Sequence, residues 1–468
     1  MSELPVSRAP GFLERYYICR DTTGIMGRGF NMSVKLNEPV SDLILSHALR
    51  RVIISCPYLT VNAFLTISED TLADGKNYHI RPVKRLLFSK LVYRKTVRDF
   101  DARVLEDLSR VRLPVNRGKP GWYLTRISVE SSGDQYLTFA CNHVMFDGRS
   151  AVNFFDDLVK TIDIVSGYTL SDVAEVLFDS EVDSPGKLRD SSENVTNLYD
   201  SPLWFKLSTL ASQMLIPSFV SKLFSSYVWP SSPNFYQHPP FNLVPFNGSN
   251  EANFRIVHFS REEVSLILTH CKQERTTLTP MMAARLYSAI GTSFTAHLGT
   301  FSQSCELIIC GRRYFPKEKQ ITRYGLFFSA FTSYIAPGLS TKDATEVLKK
   351  GLSQAMKNRH SFYKTGLLQL LNIWNYMKPY AEDKAERQTF EISNLGRVDI
   401  SAGKWHVTDV VFSQGVTFSH ITLSVISTPK GGMNVVISYH EDFSKVSEGG
   451  ILMVDRCIEK FRENMLDV

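Results

Sequence analysis

A mixed α/β (α+β) chain folded as two lobes is what this sequence predicts, and three observations carry the prediction. Period-2 apolar runs typical of strands and 3.6-period runs typical of helices occur in both halves. They do not follow the strict βαβ alternation of a doubly wound sheet. Near the middle, a polar stretch from Asp179 to Asn194 and a proline-rich stretch from Pro230 to Pro240 interrupt the pattern. The chain therefore divides into a first lobe over residues 1–180, a connecting segment over 181–250 and a second lobe over 251–468, each lobe of ordinary domain size.

In the first lobe, Tyr136-Leu-Thr-Phe-Ala-Cys-Asn-His143 alternates in strand fashion, which places Leu137, Phe139, Cys141 and His143 on one face. After Gly148 the spacing of Val152, Phe155, Leu158, Val159 and Ile162 is helical, with Ser150 as N-cap. The stretch from His143 to Gly148 thus lies on a strand-to-helix connection. In the connecting segment, Trp204 to Trp229 has lysines near both ends, flanking aromatics and an interrupting Pro217. It reads either as two short amphipathic helices in peripheral contact with a membrane surface, or as a cover over the core or the lining of an apolar channel.

The second lobe opens with a strand at Phe254–Phe259, after which Ser260 and Glu263 form a capping box for a helix through Leu268. Thr279-Pro280 starts the next helix, which carries Ala283, Leu286 and Ile290 and ends before Gly291. Ile421–Ile426 and Met433–Tyr439 flank Pro429-Lys-Gly-Gly432 as a β-hairpin. Ile451, Val454, Ile458, Phe461 and Met465 mark a closing helix.

Composition narrows the function classes. With 43% hydrophobic and 12% aromatic content the chain can bury large cores, and disorder throughout is excluded. A net charge of +6 is mild for 468 residues and gives no reason to expect nucleic acid. Seven cysteines without a Cys-x-x-Cys pair indicate neither a disulfide scaffold nor a zinc ribbon, so a reducing compartment and no metal are expected. The first residues lack a secretory pattern, and no stretch is apolar for the roughly 20 residues that a membrane-spanning helix needs. The expectation is a monomer on the cytoplasmic side, peripheral to the endoplasmic reticulum if membrane-associated. There is no Gly-x-Ser-x-Gly elbow, His-Glu-x-x-His helix or phosphate loop, and Gly24-Ile-Met-Gly-Arg-Gly29 has the wrong spacing for a dinucleotide fingerprint.

The stretch richest in chemistry is His143-Val-Met-Phe-Asp147-Gly148. A hydroxyl or amine attacks a thioester well only if its proton leaves as the new bond forms, and an imidazole with an ordinary pKa of about 6.5 can accept and return that proton near neutrality. Asp147, around the bend, reads as a brace that needs a cationic partner. Gly148 is read as permitting backbone angles that other residues resist and as leaving room for substrate. The plainer reading of His143 is a hydrogen-bonded core residue. The glycine and the strand-turn-helix setting weigh against it.

At these residues the chain resembles the acyltransferases carrying His-x-x-x-Asp-Gly, a group that includes chloramphenicol acetyltransferase-like enzymes and peptide-synthetase condensation domains, and within it the fungal alcohol acetyltransferases. Leu45-Ser-His-Ala-Leu-Arg-Arg-Val-Ile-Ile-Ser-Cys-Pro-Tyr-Leu59 is similar to the family's first helix. Gly311-Arg312-Arg313, Tyr324-Gly-Leu-Phe-Phe-Ser329 and Ser393-Asn394-Leu-Gly396 are similar to its second-lobe segments. The Asp-Phe-Gly-Trp-Gly signature of the plant branch is absent.

The resemblance implies two chloramphenicol acetyltransferase-like lobes meeting at a central active-site channel. It further implies acetyl-CoA as co-substrate and an amphiphilic acceptor with an amine or hydroxyl, such as the sphingosine-like compound myriocin. His143 would be the general base, Asp147 would pair with Arg312 through a two-pronged contact, and Arg313 is the neighbour that could replace it. Ser329 and Asn394 are candidates for the oxyanion or the channel wall. The alternatives are an O-acetyltransferase forming acetate esters and a catalytically silent lipid-binding protein of the same fold.

Overall fold

The structure is a computed structural model. It describes residues 7–23, 29–66, 74–184, 187–215, 252–298, 302–381, 387–416, 418–440, 443 and 446–467. Pro217 to Trp229, Pro230 to Pro240 and most of Gly24 to Gly29 lie outside the described residues. Two mixed sheets and the helices that cover them form the two-lobed α/β architecture expected from the sequence.

The first lobe supplies strands β1 (Gly29–Leu36), β2 (Val92–Val97), β3 (Trp122–Val129) and β4 (Gln135–Asn142). The second supplies β5 (Ala252–Phe259), β6 (Gln303–Cys310), β7 (Phe328–Ile335), β8 (Gln388–Arg397), β9 (Trp405–Gln414), β10 (Ser419–Thr428) and β11 (Gly432–His440). The second sheet runs β7-β6-β8-β10-β11-β5, with β8 parallel to both of its neighbours. In the first sheet the order is β9-β1-β4-β3-β2, continued beyond β9 by the short Ser401–Ala402 strand. Strand β9 therefore leaves its own half of the chain and pairs antiparallel with β1, from Phe30 opposite Gln414 to Leu36 opposite Val407.

That exchange fixes the lobes against each other. A cluster of Val104, Leu105, Ile127 and Tyr136 from the first lobe meets Phe254, Val411 and Val436 from the second. Each such side chain, once buried, contributes about 1.5–3 kcal/mol relative to exposure. Tyr136 also donates from its hydroxyl to Asp409 Oδ2 at 2.9 Å.

The helices show where local signals held and where they did not. We label those that frame the site α1 (Phe12–Thr23), α2 (Asp42–Ser55), α3 (Gly148–Ser166), α4 (Arg261–Gln273) and α5 (Leu278–Leu298). The Ser260/Glu263 capping box is present at the start of α4, and Gly432, at φ 73°, closes the β10–β11 hairpin. Helix α5 does not stop at Gly291. It runs on to Leu298 because Phe294 is buried and repays the roughly 1 kcal/mol that a mid-helix glycine costs. The closing helix spans Met453–Leu466 and leaves Ile451 outside it, 47% exposed.

Helix Leu203–Leu215 is the described part of the aromatic connecting segment, and Leu203, Trp204 and Leu207 are exposed on it. Among the described residues, no helix is long and apolar enough to cross a membrane.

Candidate active site

Strand β4 ends at Asn142, and the next residues turn into α3. Asp147, not Ser150, is the N-cap of that helix: its Oδ1 accepts from the Ser150 backbone N–H at 2.8 Å. A carboxylate suits this place because the first turn presents unpaired N–H groups and the positive end of the helix dipole. The second oxygen, Oδ2, reaches across to the other lobe, accepting from Arg312 Nη1 at 2.6 Å and from the Phe327 backbone N–H at 3.0 Å. Burial on its own raises the Asp147 pKa, but the charge and hydrogen bond of Arg312, aided by those two N–H groups, bring it below the ordinary carboxylate value.

The arginine does not grip the carboxylate with both prongs. Its Nε donates to the Thr322 carbonyl at 2.5 Å, and Nη2 donates to Ser150 Oγ and to the Gly325 carbonyl, each at 3.2 Å. Arg312 thus knots three segments together: the β4–α3 turn, its own short helix at Gly311–Tyr314, and the chain before β7. Arg313 points elsewhere, toward Met356. Ser150, read from sequence as a cap, is a relay whose hydroxyl accepts from Gly325 N–H at 3.2 Å and lies 2.9 Å from Asp147 Oδ1.

The two glycines of this knot differ in kind. Gly148 is the first residue of α3 and is not in the left-handed region, so backbone freedom is not what it supplies. It supplies room: a Cβ there would meet Leu395 Cδ2 at 2.8 Å. Gly325 has φ +119°, a conformation that L side chains rarely adopt. We expect Gly148→Ala to cost no more than about 1 kcal/mol, since the end of Leu395 can swing aside, and Gly325→Ala to cost about 1–3 kcal/mol. Urea midpoints of the two variants check the order, and equal costs would contradict it.

His143 follows the last strand residue and faces a cavity of about 260 Å³ between the lobes. Its ring stacks on Tyr17 of α1 at 4.7 Å between centroids and lies 4.7 Å from Phe30 of β1. Nδ1 is 3.1 Å from the Phe146 carbonyl oxygen. A carbonyl oxygen only accepts, so Nδ1 carries the hydrogen and Nε2 keeps its lone pair. Burial, followed by the nearby charge of Arg20, lowers the imidazole pKa to about 3, so the ring is neutral at physiological pH.

The cavity wall comes from both lobes: Tyr17 and Arg20 of α1, Glu306 of β6, Phe328 and Ser329 of β7, Glu391 and Asn394 of β8, and Phe412 and Gln414 of the exchanged β9. Ser329 is buried and shares a hydrogen with Thr365 across 2.8 Å. Asn394 donates to Thr279 Oγ1 at 3.0 Å and accepts from Gly396 N–H at 2.8 Å, which leaves its amide largely committed. Sequence reading passed over Tyr17, Arg20, Glu306 and Glu391. The one signal available for the acids was a lone carboxylate inside an otherwise uncharged run of residues, as in Ser304-Cys-Glu-Leu-Ile-Ile309 and Thr389-Phe-Glu-Ile-Ser393.

Two lobes, an exchanged strand and a histidine turn at the cavity between them define a two-lobed acyltransferase of the chloramphenicol acetyltransferase type. Solved structures share the fold. The trichothecene 15-O-acetyltransferase TRI3 from Fusarium sporotrichioides is similar with a TM-score of 0.63 at 14% identity, over 98% of this chain and 94% of that one. The first condensation domain of the CDA synthetase gives a TM-score of 0.63 at 12% identity, over 100% and 97% of the two chains. Within this class, the chain belongs to the alcohol acetyltransferase family, whose model matches residues 9–455. N-acetyltransferase SLI1 of Saccharomyces cerevisiae is 25% identical over 476 residues, covering 93% of this chain and 96% of that protein. The protein is therefore an acetyltransferase, with an acyl-CoA as co-substrate.

Proposed function

We propose that the protein transfers acetyl from acetyl-CoA to the amine or hydroxyl of an amphiphilic, long-chain small molecule, a sphingosine-like compound such as myriocin being representative. The observation that carries this reading is a neutral imidazole whose Nε2 lone pair is left for the cavity by the Nδ1–H contact to Phe146. The aromatic lining and the exposed Leu203, Trp204 and Leu207 on the connecting helix favour an apolar acceptor delivered at a membrane surface, in keeping with a peripheral site on the cytoplasmic side of the endoplasmic reticulum.

His143 takes the proton of the acceptor as its nitrogen or oxygen attacks the thioester carbonyl. A tetrahedral oxyanion forms, and as it collapses the carbon–sulfur bond breaks and the imidazolium gives its proton to the departing thiolate. No enzyme-bound acyl group intervenes. Arg20, 4% exposed and lining the same cavity, together with the Ser329 hydroxyl, supplies positive charge and a donor for the oxyanion. Asp147, Gly148 and Arg312 hold the turn on which the base sits.

The test is to incubate purified protein with acetyl-CoA and a panel of long-chain amines and alcohols, following thiol release and product mass. Tight lipid binding without thiol release would overturn the reading in favour of a silent binding protein. The pH profile adds a second check. Because burial keeps the ring uncharged far below an ordinary imidazole pKa of about 6.5, kcat for an alcohol acceptor should stay level between about pH 8 and pH 5. An acid limb centred near 6.5 would show a hydrated imidazole and contradict the buried base.

A further inference from the structure

The cavity holds a feature that the base and its brace do not use. Glu306 of β6 and Glu391 of β8 are register partners on adjacent parallel strands, and both line the cavity that His143 lines. Glu391 is 5% exposed and accepts from Gln414 Nε2 at 3.0 Å. The Glu306 carboxylate makes no hydrogen bond or ion pair among the described residues. Burial first, and the facing Glu391 second, raise its pKa to about 8, while Lys364 acts in the opposite sense.

A shielded carboxylate with no hydrogen bond or ion pair among the described residues, facing a second carboxylate, is costly to ionise, and the cost falls when a cation from outside reaches it. The pair also lies close to the reacting centre. Tyr17, whose ring stacks on His143, feels the negative charge of both carboxylates. An amine acceptor has a need that an alcohol lacks. Near neutrality it arrives as an ammonium ion, which must lose one proton before it has a lone pair and a second as it attacks. One imidazole meets only the second need.

We propose, on the reading that this cavity is the acetyl-transfer site, that Glu306 and Glu391 bind the acceptor as an alkylammonium ion and that Glu306 takes its first proton, which makes the preferred acceptor an amine rather than an alcohol. The ammonium gives one proton to the Glu306 carboxylate and becomes the free amine. Its nitrogen then bonds to the thioester carbon, the second N–H proton passes to His143, and the carbon–sulfur bond breaks. The imidazolium proton goes to the thiolate sulfur. The sum is ammonium plus acetyl-CoA giving amide, free thiol and one proton, which Glu306 returns to water.

The charged and titratable groups around Glu306 are Glu391 on β8, Lys364 on the His360–Gly366 helix, Tyr17 and Arg20 on α1, and Cys305 on its own strand. Ammonium favours the ionised pair, so amine affinity should rise as pH climbs through about 8, until the amine itself loses its proton near the lysine-like value of about 10.4.

Dodecylamine and dodecanol, which share one chain and differ in head group, test this on the intact protein. Without acetyl-CoA, calorimetry on the wild type should show dodecylamine binding about 10-fold or more tighter than dodecanol at pH 8. Equal affinities would overturn the inference whether or not any acceptor turns over. With acetyl-CoA, Glu306→Gln should lower kcat/KM for dodecylamine about 10–100-fold more than it lowers that for dodecanol. It should also abolish the fall in amine KM as pH rises. If the variant loses both acceptors equally, or keeps the amine preference, the assignment is wrong while acetyl transfer itself stands. If no acceptor releases thiol from the wild type, the acetyl-transfer reading fails, and the calorimetry decides the ammonium site separately.

Discussion

His143→Ala should lower kcat by about 10²–10⁴-fold for amine and alcohol acceptors alike, with little change in the affinity for acetyl-CoA. The Phe146 carbonyl fixes the tautomer, and Tyr17 and Phe30 clamp the ring, so the lone pair on Nε2 is aimed before substrate arrives. A pKa near 3 makes the ring a weak base in the free protein. In the proposed reaction it gains basicity only as the oxyanion develops, whose negative charge favours an imidazolium beside it, and would then pass the proton on to the thiolate. Loss of the ring removes both transfers. Steady-state thiol release checks this, and activity kept within tenfold of wild type would mean that some other group is the base.

The same variant carries a stability signature. An imidazole held neutral by the fold binds its proton more weakly there than in the unfolded chain. Its neutrality therefore does no harm above about pH 6.5, and stability is lost as pH falls from there toward 3. His143→Ala should accordingly lose less stability than the wild type over that acid range.

How much of this was legible in the sequence follows from the distance over which each signal acts. The capping box at Ser260, the β10–β11 hairpin and the helical face from Val152 to Ile162 are local patterns, and the chain obeys them. Gly291 misled because buried packing around Phe294 outweighs a local helix-breaking tendency. The transfer of β9 to the first sheet has no local mark, since its apolar alternation would serve either sheet.

At the site, one short motif announces the turn carrying His143, Asp147 and Gly148, and Arg312 was accessible only through family likeness. Tyr17, Arg20, Glu306 and Glu391 stand on elements far apart in the chain and meet only after folding. Strand alternation cannot tell an acid facing an inner cavity from one facing water. Asp147 was legible as a brace, yet its capping of α3 and its bond to the Phe327 amide depend on a segment of the second lobe that no local pattern ties to it.

That dependence sets the second large effect. Arg312→Ala should destabilise the protein by about 3–5 kcal/mol and reduce turnover together with it, because it strands a buried carboxylate. The pair is shielded, with the two side chains 12% and 6% exposed, so the carboxylate loses its partner in surroundings where bulk water screens it poorly. Three further contacts go as well, to Thr322, Gly325 and Ser150, leaving the lobes joined at this point by the Phe327 N–H to Asp147 and Gly325 N–H to Ser150 bonds. Arg312→Lys keeps the charge but cannot span all four acceptors, and should fall between the wild type and alanine.

Asp147→Asn is the sharper diagnostic, since it preserves the shape while removing the charge that Arg312 needs. A carboxylate whose folded pKa lies below its unfolded value contributes stability above about pH 3.8, and that contribution disappears as pH drops through the folded value. The asparagine variant should lack this acid-dependent part, and its kcat should fall because the turn beneath His143 loosens. Urea midpoints against pH, read beside kcat and the NMR position of the His143 ring, separate the outcomes. Lost activity with an undisturbed ring and unchanged stability would make Asp147 a participant in the chemistry and not a brace.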